Sequence, residues 1–433
     1  MKNIPNQSRR NFIRNAALAT GTFMIIPGHV LGRRGSIPPS DMITLGFIGT
    51  GKLIRELHPR FAAVPGVRIV AGCDVDSQKL QWFREQVDTF NAGQTGGTGN
   101  GGCKTFSHYE ELLEDQSIDA VVVATPDHWH AIVSIAAIKS GKDVYCEKPL
   151  THTVKEGRAM VIATREHQRV VQTGSMQRSW KDFRHACELV VNGYVGDIKK
   201  VIVNVGDPPV PCDLEGAETP GYLDWDRWLG PAKVRPYSPV LAPPITDTAW
   251  PRWREYMEFG GGGIADWGAH MFDIAQWGLG MDESGPVKLL PPNDPTAKRG
   301  LRFIYANGIE MFHEDFGRGW AVRFIGTEGS LDISREFLDS KPENIAGAQI
   351  KPGDKHLYYS DNHYADWIDA IKKRSRPVAD VEIGHRSATV CNIANIAYQL
   401  KRPLKWDPVE EKFLKDGPAN RLLTRNYRRP YTL

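Results

Sequence analysis

The chain has 433 residues, of which 41% are hydrophobic and 24% charged, with a formal net charge of +3. That length exceeds one ordinary core and makes two domains the default, while the composition excludes a disordered or collagen-like chain. The positive balance is not the footprint of a nucleic-acid surface: Lys2, Arg9, Arg10, Arg14, Arg33 and Arg34 all precede the first acid, Asp41, and without these six the charge falls from +3 to −3.

Residues 1–32 read as a targeting segment rather than as structure. Ser8-Arg9-Arg10-Asn11-Phe12-Ile13-Arg14 resembles the twin-arginine export motif, and the apolar stretch Ala16–Ile26 behind it is too short to span a bilayer. The resemblance implies export of a folded protein to the periplasm, with 33–41 as a linker. No small-x-small pair marks a cleavage point, so an uncleaved arm is the alternative. No later segment reaches membrane-spanning length. The six cysteines show neither Cys-x-x-Cys nor zinc-type spacing, and a disulfide framework is not expected in a large chain that folds before export.

Residues 42–150 read as a dinucleotide-binding domain. Met42–Ile48 predicts a strand that runs into Gly46-Phe47-Ile48-Gly49-Thr50-Gly51, followed by a helix over Lys52–Val64 and a strand over Val67–Cys73. Glycines at that turn let the backbone of Gly49, Thr50, Gly51 and Lys52 approach a pyrophosphate, whose charge meets the helix N-terminus. Asp74 lies 23 residues beyond Gly51, near the ~20-residue spacing of the carboxylate that bonds a ribose 2′-hydroxyl. Val75 follows where an arginine would serve a 2′-phosphate, so the expected cofactor is NAD, with NADP less favoured. The third fingerprint glycine is replaced by Ile54.

A helix over 78–90, a glycine-rich loop over 92–102 and an acidic helix over 110–115 lead to a buried strand, Ala120–Ala124. The turn at its carboxyl end is Thr125-Pro126-Asp127-His128-Trp129-His130, with Thr125, Pro126 and His130 as candidate cofactor contacts. His128 and His130 are assigned to loop and cap roles, since a third metal ligand is missing. After a helix over 129–140, the strand Asp143–Cys146 delivers Glu147-Lys148-Pro149 to the edge where open parallel sheets do chemistry.

GFIGTG, CDVD, ATPDHWH and above all CEKPL resemble the family of glucose–fructose oxidoreductase and myo-inositol dehydrogenase (Gfo/Idh/MocA), and the likeness extends to GGGGIADWGAHMFD at 260–273. It implies an α/β fold: an N-terminal Rossmann domain, then a C-terminal α/β domain at 151–433 with a large open, mainly antiparallel sheet. It also implies NAD(P)-dependent redox chemistry on secondary hydroxyls of sugars and cyclitols, cofactor contacts from Glu147 and Lys148, a cis Lys148–Pro149 bond and a homo-oligomer built through the sheet.

In the second domain, a loop over 172–178 carries Arg178, which either contacts substrate or bridges a neighbouring acid. Residues 206–260 are rich in Pro and Trp without periodicity, a loop length that is usually functional. Trp225, Trp228 and Trp253, with Arg254, form a candidate sugar-binding wall, because indole faces cover apolar sugar faces; the alternative is that half or more of these rings fill core. A helix over 264–279 puts Asp266 and His270 four residues apart on one face. With Lys148 they form the expected catalytic set: His270 as base, Asp266 orienting its ring, and Lys148 donating to the oxygen as charge develops. A metal is not expected, for want of a third ligand. Antiparallel strands over 301–326, helices over 363–372 and 387–399, and a tail from Lys401 that wraps the body or a neighbour complete the chain.

Free NAD is scarce outside the cytoplasm, so an exported enzyme does best to retain its cofactor. The expected reaction is oxidation of a glycoside ring hydroxyl, at C3, to a keto-sugar. Redox-neutral glycoside cleavage through transient oxidation, sugar-to-sugar hydride transfer and a non-enzymatic sugar-binding role are the alternatives.

Overall fold

The computed structural model describes residues 41–95 and 102–433. The export segment, the linker up to residue 40 and the centre of the glycine-rich loop lie outside these residues. Short β-branched runs ended by turn residues form the six strands of an all-parallel sheet: β1 (Ile43–Ile48), β2 (Val67–Cys73), β3 (Lys104–Phe106), β4 (Ala120–Val123), β5 (Asp143–Cys146) and β6 (Val171–Thr173). Their order is β3-β2-β1-β4-β5-β6. It reverses between β1 and β4, and in such sheets ligands bind at the carboxyl ends beside that reversal. β4 and β5 are buried throughout, which is why they read as continuous apolar runs.

Two details of the first turn follow from sterics. Gly49 has φ +87°, and a Cβ there would lie 2.7 Å from the Ala124 carbonyl oxygen, so only glycine fits. Ile54, in place of a third glycine, opens the helix Ile54–Ala62 and is fully buried among Leu45, Phe47 and Phe61. The helix expected to end near residue 90 continues to Thr95. Gly93 within it costs only about 1 kcal/mol.

The second sheet has nine strands: β7 (Ile198–Asn204), β8 (Lys288–Leu290), β9 (Leu301–Ile304), β10 (Glu310–His313), β11 (Ala321–Gly326), β12 (Ser330–Ile333), β13 (Leu338–Lys341), β14 (Leu404–Asp407) and β15 (Lys412–Phe413). The order is β13-β12-β11-β7-β10-β9-β8-β14-β15, and every pairing is antiparallel except β7 with β10. This is the expected α/β architecture. One face packs on the helices Lys181–Val191, Gly268–Gly278 and Val381–Leu400 through Phe183, Leu189, Met271, Phe272 and Ile393. The other carries charge pairs such as Arg302–Glu310 and Arg323–Asp332, with the Lys200 ammonium 4.1 Å from the Phe312 ring centre.

Arg178 does not reach the cleft. It is 1% exposed, sits 2.8 Å from Asp273 and 2.7 Å from Asp282, and lies 4.9 Å from the Trp277 ring centre. Two acids brought inward by the helix Gly268–Gly278 and the turn after it need a counter-charge, and that demand outweighs any substrate contact. Arg178→Ala would strand Asp273 in the core and should cost about 3–5 kcal/mol, measured by urea unfolding.

The Pro- and Trp-rich segment crosses back over the first domain. Leu223 bridges Asp76, Ser77 N–H donates to the Tyr222 carbonyl at 2.9 Å, and Asp224 N–H donates to the Val75 carbonyl at 3.0 Å. Farther along, Lys52 donates to the Ala249 carbonyl and Arg55 to that of Ile245 at 3.1 Å. Trp129 Nε1 donates to the Trp228 carbonyl at 3.0 Å. The segment is not wholly irregular, since Asp224 caps a short helix, Trp225–Leu229. Trp225 stacks on Trp228 at 4.6 Å and packs with Leu223, Tyr237 and Phe259 in a core of the segment's own. It therefore fills that small core and is not part of the cleft wall.

The tail wraps its own body. The helix Val154–Glu166 starts with a capping box of Thr153 and Glu156. The fully buried Glu156 carboxylate also takes Arg425 at 2.8 Å and the Tyr427 hydroxyl at 2.9 Å. Arg428 Nε donates to the Gly230 carbonyl at 2.8 Å, and Tyr431 packs edge-on to Trp129 at 5.2 Å.

Candidate active site

A cleft of about 450 Å³ runs from Gly49, Gly51 and Asp74 to Lys148, Asp266 and His270. At the first end the parts suit a dinucleotide. No atom lies within 4 Å of where a Gly51 Cβ would stand, so that turn is open to the cleft. The N-terminus of the helix Ile54–Ala62 stands behind it. Thr50 is fully buried and turned inward, its N–H and hydroxyl donating to Asp74 Oδ2 at 2.7 and 3.2 Å. Asp74 Oδ1 accepts the Asp76 N–H at 2.9 Å, which fixes the carboxylate at the cleft wall.

Farther along, the His130 ring nitrogens lie 2.9 Å from the carbonyl oxygens of both Thr125 and Pro149, so the neutral ring donates to one of the two and packs against the other, between the turn after β4 and the motif after β5. Burial pulls the His130 pKa below its ordinary value. Thr125 and Pro126 line the cleft, and the buried Thr125 hydroxyl has no hydrogen-bond partner among the described residues. An orphaned hydroxyl beside an open glycine turn is what a bound polar group would satisfy.

At the other end, Lys148 Nζ lies 2.5 Å from Asp266 Oδ1 and 3.0 Å from the Asp266 carbonyl oxygen. The Lys148–Pro149 bond is cis. Arg254 Nε is 3.7 Å from the same carboxylate, and its guanidinium lies 4.3 Å from the Trp253 ring centre. Burial pushes the Asp266 carboxyl up, but Lys148 and Arg254 outweigh it and hold the pKa below the ordinary value. His270 is 3% exposed. Burial, then Lys148 and Arg335, keep its pKa well below normal, so the ring is neutral at neutral pH.

Asp266 does not orient His270. Its carboxylate is spent on Lys148, and His270 Nδ1 is buried without a partner among the described residues. The expected single helix falls into two, Gly263–Asp266 and Gly268–Gly278, with Trp267 between them still in the right-handed helical region, and Lys148 draws both the carbonyl and the carboxylate of Asp266 to itself. Asp266 thus ends one turn facing Lys148, while His270 belongs to the next.

Glu147 is 3% exposed beneath Lys148, accepting the Lys148 N–H at 3.2 Å and the Tyr145 hydroxyl at 3.4 Å. Burial pushes its carboxyl up to about 7. The folded state therefore binds this proton more tightly than the unfolded chain. The stabilisation is whole below the ordinary value of 4.5 and is lost as pH rises through about 7. Glu147→Gln should remove that loss, so its melting temperature should gain on the wild type between about pH 5 and about pH 8.

Trp228, Trp253 and Arg254 line the cleft with Lys52. Two lining residues were given no role by the sequence, although Asp127 lies inside the turn after β4 that it marked out. Asp127, at the start of the helix Asp127–Lys139, is 3% exposed, and burial and Asp266 push its carboxyl well up. From sequence it looks like any acid favouring a helix N-terminus. Arg335, between β12 and β13, lies far from every motif. Among the described residues no group of three His, Cys, Asp or Glu is placed to hold a metal, and no helix is long and apolar enough to cross a membrane.

A glycine turn at a strand reversal, an acid ending the second strand, and a lysine and a histidine in the same cleft are the parts of a dinucleotide-dependent oxidoreductase. Residues 43–175 match an oxidoreductase family's NAD-binding Rossmann fold, and residues 210–433 match its C-terminal alpha/beta domain. The chain belongs to the Gfo/Idh/MocA family and is an NAD(P)-dependent oxidoreductase. Among relatives, it is 29% identical over 304 residues to 1,5-anhydro-D-fructose reductase of Ensifer adhaerens, covering 66% of this chain and 79% of that one. It is 22% identical to myo-inositol 2-dehydrogenase of Thermotoga maritima, over 84% of this chain and 99% of that one. The fold is similar to that of aldose-aldose oxidoreductase from Caulobacter crescentus, with TM-score 0.58, 18% identity and coverage of 84% and 99%. It is also similar to that of the WlbA dehydrogenase from Bordetella pertussis, solved with NADH and UDP-GlcNAcA, with TM-score 0.59, 18% identity and coverage of 84% and 98%.

Proposed function

We propose that this enzyme uses NAD to oxidise a secondary hydroxyl of a sugar, glycoside or cyclitol, with C3 of a glycoside ring as the position converted to a ketone. The observation that carries the reading is the meeting of Lys148 and His270 in the cleft that begins at the Gly49 turn. The names of the relatives, a sugar reductase and an inositol dehydrogenase among them, support the substrate class.

Bound NAD supplies the hydride acceptor. The rest falls to the chain. Lys148 has three N–H donors, of which Asp266 takes two. The third is left for the substrate oxygen, where it stabilises negative charge as the hydroxyl proton leaves. His270, neutral and with Nδ1 enclosed, takes that proton at Nε2. Asp266 positions Lys148 rather than the imidazole. Trp228 and Trp253 cover apolar faces of the ring.

NAD is preferred to NADP because Asp74 would repel a 2′-phosphate, and the neighbouring cation Lys79 is already held 2.9 Å from Asp76. The segment crossing at Tyr222, Ile245 and Ala249 supports retention of the cofactor. The Arg9-Arg10 pair supports twin-arginine export to the periplasm, and the outer face of the nine-stranded sheet supplies the surface for a homo-oligomer. Mass spectrometry of the purified protein should find NAD(H), and a glycoside panel followed at the nicotinamide absorbance should yield a keto-sugar. Absence of both would end the reading. Asp74→Ala should weaken NAD binding and narrow the gap to NADP, measured by fluorescence titration with each.

A further inference from the structure

One cation at the reacting end of the cleft, Arg335, has no part in the chemistry above. Arg335 lies between β12 and β13 and lines the cleft with Trp267 and His270. Its Nε donates to Oε1 of the buried Gln177 at 3.0 Å. Its guanidinium lies 4.5 Å from the Trp267 ring centre and 5.4 Å from that of Trp180. Trp267 in turn sits 5.7 Å from the His270 ring and 4.2 Å from that of Trp320. A buried amide and two indoles therefore hold the guanidinium in place, and no carboxylate of the described residues lies within 4.0 Å of it. Arg335 is exposed at the cleft, and among the described residues none pairs with its terminal nitrogens, which are left to solvent or a ligand. Glu56, Asp266 and Glu147 act on it only at longer range, and Glu56 already pairs with Arg60 at 3.8 Å.

We propose that Arg335 is an anion-recognising residue and that the substrate is an acidic sugar, carrying a carboxylate or phosphate, rather than a neutral one. This rests on the reading of the cleft as a sugar-oxidising site.

The charge balance of the reacting end supports it. Lys148, Arg254 and Arg335 face Asp266, while burial holds Asp127 and Glu147 toward their neutral forms. The oxidised pyridine ring adds another positive charge. With a neutral substrate bound, only solvent would face the exposed Arg335 guanidinium, while Lys148 and Arg254 share the single carboxylate of Asp266. An anion would offset this positive charge and meet the planar fork of Arg335 through two N–H donors. The indole beside the fork is suited to the ring that carries the anion.

The test compares methyl β-glucoside, methyl β-glucuronide and glucose 6-phosphate, with inorganic phosphate as control, on wild type and Arg335→Gln. Two readouts are taken: kcat/KM for keto-sugar formation, and the shift in melting temperature on adding each sugar. Wild type should favour an acidic sugar over the neutral one by about 10- to 100-fold, the strength of a charge-assisted hydrogen bond. The acidic sugar should also give the larger melting shift. In Arg335→Gln the acidic-to-neutral ratio should collapse toward one. Preference for the glucuronide alone assigns a sugar acid, and preference for the phosphate beyond the control assigns a sugar phosphate. Equal treatment of charged and neutral sugars by wild type, or a preference that survives in Arg335→Gln, overturns the proposal. A lower melting temperature of the free variant with the preference intact would make Arg335 a partner of Glu56 instead and would equally overturn it. If no sugar yields a keto product, the reaction assignment fails, while the melting shifts still decide the anion site.

Discussion

Lys148→Met should lower kcat by about 10²–10³-fold, the usual cost of removing one donor from a developing oxyanion, while NADH binding measured by fluorescence stays near wild type. Methionine keeps the length and apolar stem of lysine and removes only the charge. The fold should survive, because Asp266 keeps Arg254 at 3.7 Å and is not left as an unpaired buried charge. The loss should fall on kcat more than on KM, since an ammonium meets a neutral hydroxyl weakly and an alkoxide-like oxygen strongly. Full turnover in this variant would remove Lys148 from the chemistry.

His270→Ala should cost about 10²–10⁴-fold, the range for loss of a general base, and added imidazole should restore part of the rate by filling the vacated space. A merely structural histidine would not be rescued. The pH profile gives a second check. Because burial and the Lys148 and Arg335 charges depress the His270 pKa, the acid limb of the wild-type profile should lie well below 6.5. It should be missing from the variant. Stability has the same sign: the neutral ring contributes fully above the unfolded value of about 6.5, and the contribution is lost as pH falls through the lower folded value. His152, His313 and His363, each pushed down to about 4 by burial, act in the same direction. Acid should therefore destabilise the protein between about pH 6.5 and about pH 4.

Most of the parallel sheet was legible because strands such as β4 and β5 are buried on both faces and the first turn carries glycine, whereas the short, exposed β3 was not read as a strand. β5 and the Glu147-Lys148-Pro149 turn at its end could be read from one short run of sequence. The helix carrying His270 was legible as a helix, but the break at Trp267 was not, since Gly268 beside it reads as one more small residue in a glycine-rich run. The direction of the Asp266 side chain was hidden for the same reason. Arg178 and Trp225 illustrate a second limit: a polar or aromatic residue in a loop reads as a surface feature, and only the packing of distant elements reveals that it is buried. β8, β12, β13, β14 and β15 are two to four residues long, too short for periodicity to register. Arg335 reaches the cleft through contacts between segments far apart in the chain, which no local pattern encodes, whereas Asp127 lies in a turn that was legible and lacked only an assigned role.

The Glu156–Arg425 pair couples residues 269 positions apart, and this constrains the order in which the protein can mature. The ribosome delivers the first half of the chain well before it reaches Arg425. Until then the cap of the Val154 helix holds a carboxylate with no cation beside it, and Trp129 lacks the ring of Tyr431. The helix Val154–Glu166 and the Trp129 ring can therefore gain these contacts only once synthesis is nearly complete.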